Sequence, residues 1–239
     1  MVILWKISMF LLLIVHLASS GITAAEEAVL FREEFDTLEA WEPLYFSKID
    51  AHTQYSTTRQ DGGMALKAVS EASASALVYK EKFNITDYPI LRWRWKVDRV
   101  YAQGNYRLKS GDDYPLRVYV LFAYDPERAG LATRLKYGLA HTLYGRYPPS
   151  AALNYIWANR TEESEPVVSP YTDQAVLIPL RQGPGQVGQW VTEQVNLLED
   201  YRRAFGQAPP AEASLAVMSD GDNTGEGATA YIDFIEVGR

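Results

Sequence analysis

The apolar positions change character once along the chain. From Ile7 to Leu17 they run almost without a break, interrupted only by Ser8 and His16, with Lys6 before them and the small residues Ala18, Ser19, Ser20, Gly21, Ala24 and Ala25 after. A membrane-spanning helix needs about 20 apolar residues, and this run is shorter. A basic start, a short apolar core and a small-residue end predict a cleavable secretory signal over residues 1–25, cut after Ala25 or nearer Ser20. The expected product is a protein exported to the periplasm or extracellular space, with no stable membrane span after cleavage.

Beyond residue 25 the period becomes two. In Leu91–Val97 the apolar Leu91, Trp93, Trp95 and Val97 alternate with Arg92, Arg94 and Lys96; in Leu116–Ala123, Leu116, Val118, Val120 and Phe122 alternate with Arg117 and Tyr119. Strict alternation places one set of side chains on each face of a strand. Strands are also predicted over 29–35, 64–69, 76–79, 153–158, 174–180, 190–197, 215–219 and 229–237. Two helical excursions interrupt them. One starts at Asp125-Pro126 and carries Leu131, Leu135, Leu139 and Leu143 on one stripe; the other covers 198–205 and stops at Gly206. This pattern predicts a single domain over 26–239, mainly all-β: an antiparallel two-sheet sandwich, jelly-roll-like, with one or two short helices.

Composition narrows the function classes. Among 239 residues there is no cysteine, so neither a disulfide nor a cysteine-ligated metal contributes. The balance of 23 Lys and Arg against 30 Asp and Glu is acidic, which disfavours nucleic acid as a partner. Only three histidines occur, and His16 falls in the leader, so a histidine-rich zinc site is excluded. The sequence contains no nucleophile elbow and no phosphate loop. The 16 tyrosines and 6 tryptophans suit sugar stacking and β-core packing alike.

Several stretches are distinctive: Leu91-Arg-Trp-Arg-Trp-Lys-Val97, Gly111-Asp-Asp113 with Arg117-Val-Tyr119, Leu153-Asn-Tyr-Ile-Trp-Ala-Asn159, Pro170-Tyr-Thr-Asp173, Gly188-Gln-Trp190, Tyr201-Arg-Arg-Ala-Phe-Gly206 and Met218-Ser-Asp-Gly-Asp-Asn-Thr224. Together they resemble an uncharacterised bacterial family, domain of unknown function 3047, which implies export and a single domain but no reaction. The two ends, Phe31-Arg-Glu-Glu-Phe35 with Trp41 and Ala230-Tyr-Ile-Asp-Phe-Ile-Glu-Val237, are similar to the first and last strands of jelly-roll carbohydrate-binding modules. That likeness implies a structural calcium held by Glu34 and Asp233.

Four constellations carry candidate chemistry. Arg92, Arg94 and Lys96 form a cationic row, extended by Arg117 and Tyr119 if their strand is a neighbour. Such a row fits an anionic polysaccharide, or else cross-strand ion pairs. Asp112 and Asp113 can hold a hard cation or simply shape a turn. Asp220, Asp222 and Asn223 resemble the start of a calcium loop but lack the distal bidentate glutamate, Glu226 being too close. Tyr155, Trp157 and Asn159 share one strand face, with Asn154 beside them, and match either a sugar platform or core packing. The function expected is non-catalytic binding of a polysaccharide or oligosaccharide, with structural calcium. The alternatives are a hydrolase or lyase using Arg92, Arg94 or Arg117 with Tyr119 or His52, and an envelope scaffold docking through the leucine stripe.

Overall fold

In the computed structural model, residues 28–125 and 148–239 are described. The leader and the helix expected over 126–143, with its leucine stripe and His141, lie outside them.

The described residues form two stacked sheets. The strands are β1 (Val29–Glu33), β2 (Trp41–Leu44), β3 (Gln54–Gln60), β4 (Gly63–Glu71), β5 (Ala74–Tyr79), β6 (Phe83–Asn84), β7 (Ile90–Val97), β8 (Arg117–Phe122), β9 (Ala151–Ala158), β10 (Val167–Val168), β11 (Ala175–Gln182), β12 (Val191–Asn196), β13 (Glu212–Asp220) and β14 (Gly227–Gly238). One helix, α1 (Leu197–Phe205), follows β12 directly. Sheet A runs β12-β7-β14-β4-β3, with β1 also on β14; sheet B runs β10-β11-β9-β8-β13-β5-β2, with β6 also on β13. The jelly-roll-like sandwich is thus the fold. One pairing departs from the antiparallel expectation: β11 lies parallel to β9, reached by a connection that contributes β10 to the sheet edge.

The local reasons are plain for most elements. Asn196 caps α1 by accepting from the Leu198 and Glu199 N–H groups at 3.0 and 3.2 Å, and Gly206 closes it in the left-handed conformation. Strands β2 and β3 were not predicted. The first carries Pro43 on the edge of sheet B; the second, Gln-Tyr-Ser-Thr-Thr-Arg-Gln, is the edge of sheet A and has no apolar alternation.

Large rings lock the two sheets together. Trp93 and Trp95 on β7 face Tyr155 and Trp157 on β9, with centroids 5.4 and 5.7 Å apart. All four rings are fully buried. Their polar atoms are partly satisfied inside: the Trp95 indole N–H donates to Glu193 at 3.0 Å, Trp157 to the Gly183 carbonyl at 3.1 Å, and the Tyr155 hydroxyl to Asp200 at 2.9 Å. Tyr155 and Trp157 are therefore core residues. The sugar-platform alternative for them fails because neither ring reaches solvent.

This placement predicts that Trp157→Ala acts on folding. Emptying a fully packed tryptophan site costs about 3–5 kcal/mol. A lowered denaturant midpoint should report that loss, and a variant of unchanged stability would contradict the packing described.

Candidate functional site

The cationic row does not extend as the alternation suggested. Arg92, Arg94 and Lys96 stand on the outer face of sheet A, whereas Arg117 and Tyr119 stand on the outer face of sheet B, the opposite side of the molecule. Each member of the row is also engaged. Arg92 donates to Gln194 at 2.7 Å and to Glu236 at 3.1 Å, Arg94 to Asp233 at 2.9 Å, and Lys96 to Gln60 at 3.0 Å. Trp190 lies against the Arg94 and Lys96 cations and donates to Asp61. The pairs within sheet A account for the row, and a lyase site combining Arg92 or Arg94 with Tyr119 is split between the two sheets. His52 stacks on Tyr45, centroids 4.4 Å apart.

The two end-strand carboxylates expected to hold calcium each meet an arginine. Asp233 holds Arg94, and Glu34 accepts from Arg32 at 3.0 Å. Both carboxylates line a cavity of about 320 Å³ together with Arg32, Arg59 and Asp36.

The other candidates converge. On the outer face of sheet B, one apolar pad contains Tyr106, Tyr114, Ile156, Ala158 and Leu177, and another contains Ala74, Ala76 and Met218 with Leu44, Phe46 and Ile49 packed on it. Between them lies a polar strip. Arg117 pairs across strands with Met218, and Tyr119 with Asn154. Arg117 donates to Asp220, whose other carboxylate oxygen accepts the Tyr114 N–H at 3.2 Å. Asp112 Oδ1 lies 3.6 Å from the Arg117 guanidinium. Asp113 Oδ2 accepts from the Thr224 N–H and hydroxyl at 2.6 and 2.8 Å, which ties the 111–113 turn to the loop after β13. Asn159 accepts the Tyr101 N–H at 2.8 Å and donates to the Asp113 carbonyl at 2.7 Å.

Two glycines make these approaches possible. A Cβ on Gly104 would sit 2.1 Å from the Asn159 side chain, and one on Gly221 would sit 2.1 Å from the Glu226 carbonyl. The loop is braced again where the Ala102 and Gln103 N–H groups donate to the Glu226 carboxylate at 3.0 and 2.8 Å. Tyr171 closes one side. Its ring is exposed beside Lys109, and its hydroxyl bonds Asn223 at 2.6 Å and the Lys109 carbonyl at 3.1 Å. Tyr101, Tyr114, Tyr171 and Thr224 were not singled out from the sequence as site residues. Tyr171 and Thr224 do fall inside the distinctive Pro170–Asp173 and Met218–Thr224 stretches, the one signal available for them.

Electrostatics sets this strip apart. Asp112, Asp113 and Asp220 are all 4 % exposed or less, and Arg117 is the single buried cation among the described residues. Burial pushes the Asp220 carboxyl well above the usual carboxylate range, aided by Asp113 and Asp112 and opposed by Arg117; burial also raises Asp112. Burial raises the Tyr119 and Tyr114 hydroxyls, so both remain protonated donors. Asp113 Oδ1, Asn154 Oδ1 and Arg117 Nε are buried with no hydrogen-bond partner. Asp113, Asp220 and the half-buried Asp222 each bring a carboxylate oxygen within 4.8 Å of the others, a spacing that can hold a metal ion.

Fold and site together define a two-sheet β-sandwich with an acidic, hydrogen-bonding centre on one outer face. The chain belongs to the family described as protein of unknown function (DUF3047), whose model matches residues 39–236. No characterised protein matches it in sequence. Solved structures resemble it only in architecture. A family 11 carbohydrate-binding module from Clostridium thermocellum, in complex with a β-1,3-1,4-mixed-linked tetrasaccharide, is 10% identical with a TM-score of 0.42, over 88% of this chain and 94% of that one. The lectin from Bauhinia forficata in complex with GalNAc is 10% identical with a TM-score of 0.39, over 87% and 97%. Endoglucanase 3 of family GH12 from Trichoderma harzianum is 9% identical with a TM-score of 0.40, over 83% and 97%. At these scores the likeness carries no argument about ligand or reaction.

Arg117 is the test of the electrostatic account. Arg117→Met leaves Asp220 and Asp112 buried without a counter-charge, a loss of about 3–5 kcal/mol at neutral pH. With folded-state carboxyl values above the unfolded value of about 3.9, the folded protein binds more protons, so stability falls as pH rises through that window. In chelator-treated protein the variant should therefore recover stability between about pH 7 and about pH 5. Urea unfolding at both pH values measures this, and a deficit that does not shrink on acidification contradicts it.

Proposed function

We propose that this protein is an exported, non-catalytic binding protein for a polar, uncharged glycan, held over the outer face of sheet B around Tyr119, Asp222 and Tyr171, the members of that face that reach the surface. The observation that supports this reading most directly is the polar strip itself. A sheet face otherwise covered by two apolar pads keeps hydrogen-bonding atoms there without protein partners. Buried polar groups in that state cost about 1–3 kcal/mol each, a cost that points to a functional role for the strip. Sugar hydroxyls donate and accept, which suits the exposed Asn223 carboxamide beside the Tyr171 hydroxyl. The exposed Tyr171 ring offers a flat face to the C–H side of a sugar.

Charge selects among glycans. Four carboxylates against one guanidinium repel a uronate, and the sheet A cations that favoured an anionic polymer are occupied by their own acidic neighbours. The anionic version of the ligand therefore gives way to a neutral one. In this reading the Asp113, Asp220 and Asp222 triad holds a structural calcium, and the 1–25 leader directs export.

Neutral and acidic oligosaccharides arrayed on a surface distinguish the outcomes. Neutral sugars should be retained with little dependence on salt, since no net ion pairing is involved. Tyr171→Ala and Tyr119→Ala should each weaken binding about tenfold, and Arg94→Ala on sheet A should not. Retention of acidic glycans only, or loss in the Arg94 variant equal to that in the tyrosine variants, would overturn the assignment.

A further inference from the structure

We infer that the cation held by Asp113, Asp220 and Asp222 is itself the ligand-binding element: a calcium ion with open coordination positions that take a pair of neighbouring hydroxyls from a sugar ring. This rests on the glycan reading above and names the atom through which that ligand is held.

Three observations converge on a cation. The carboxylate oxygens of the triad lie within 4.8 Å of one another. Asp113 Oδ1 belongs to a fully buried side chain and has no hydrogen-bond partner, although Oδ2 of the same carboxylate has two. An acceptor so placed is satisfied by a proton or by a metal. The third is the charge count. Arg117 offsets one of the three buried carboxylates, and its guanidinium is committed to Asp220 and Asp112. Two negative charges remain in a site from which water is largely removed, and a divalent ion neutralises both.

Coordination number argues that the ion is open. Calcium takes about 6–8 oxygen ligands. The triad supplies one oxygen from each of three residues, while Asp113 Oδ2 accepts from Thr224, Asp222 Oδ2 from Asn223, and the Asp220 oxygens from Arg117 and the Tyr114 N–H. Several positions are left for water or ligand. They open outward, because Asp222 is half-buried while its neighbours Asn223 and Tyr171 are exposed. Asp112, Asp113, Asp220 and Asp222 with Arg117 and a dication leave the site near one negative charge. A neutral diol loses nothing to that residual charge, whereas a carboxylate would be repelled.

Terbium serves as the probe in the full chain, because it replaces calcium at oxygen sites and is excited through nearby tyrosines. Tyr114 and Tyr171 lie beside the triad. Excitation of tyrosine should produce terbium emission that calcium displaces, and Asp222→Asn should weaken it at least tenfold while the fold is retained by circular dichroism. Emission lifetimes in H₂O and D₂O should count about three or more bound waters, and a retained neutral glycan should displace about two. No displaceable emission, or a hydration number of one or less, overturns the inference. Glycan retention that is unchanged by a chelator overturns the inference and leaves the glycan reading intact, whereas an array with no retained glycan removes the glycan reading and this inference with it.

Discussion

The interlock of four aromatic rings between β7 and β9 decides where everything else points. A strand has period two, so placing Trp93 and Trp95 inward sends Arg92, Arg94 and Lys96 outward on sheet A. Placing Tyr155 and Trp157 inward sends Asn154 outward on sheet B, opposite Tyr119. A slip of one residue in β7 would bury cations and expose Trp93 and Trp95, and a slip in β9 would bury Asn154 and expose Tyr155 and Trp157, so the register is held by the largest side chains in the core. The polar strip on sheet B is a consequence of that register. Arg117, Tyr119, Asn154 and Asp220 share a face because their inward neighbours Val118, Val120, Leu153, Tyr155 and Val217 share the core.

The two outer faces then diverge for an electrostatic reason. On sheet A every cation of the row meets an acid or amide of the same sheet, at part-exposed positions where such pairs are worth roughly 0–1 kcal/mol. On sheet B the acids outnumber the single cation and are buried. That imbalance is costly. The acidic balance of the whole sequence gives no hint of this. It is the local surplus around Arg117, not the net charge, that distinguishes one face from the other.

Much of the fold could be read from alternation alone, and the exceptions are physically instructive. Strands with one face in the core, such as β7, β8 and β13, announce themselves. Edge strands do not: β3 is polar on both faces and β2 contains Pro43, because an edge has fewer packing neighbours and fewer ladder bonds to satisfy. The site was legible in pieces. Asp112, Asp113, Arg117, Tyr119, Asn154, Asn159, Asp220 and Asp222 were all candidates, yet assigned to separate constellations. Their union depends on β8 lying between β9 and β13, and pairing order is not encoded in periodicity. The same missing information left open whether the strand of Arg117 adjoined the cationic row, and it does not. Tyr155 and Trp157 failed for a different reason, since an aromatic on a half-buried strand looks the same in sequence whether it faces sugar or core.

Pairing order also explains why the loops on this side are so tightly tied. The chain reaches the strip from three distant places: the 98–116 connection, the 159–174 crossover and the 220–226 loop. Each is anchored to another by a polar side chain, Asn159 to the Asp113 carbonyl, Thr224 to the Asp113 carboxylate, Glu226 to the Ala102 and Gln103 N–H groups, and Tyr171 to Asn223. Loops that only connect strands tolerate looseness. Loops bonded to one another at this density hold carboxylate oxygens at fixed separations. The rigidity comes from side chains that sequence order scatters over more than a hundred residues, and the parallel β9–β11 pair is what carries the 159–174 crossover back to the same face.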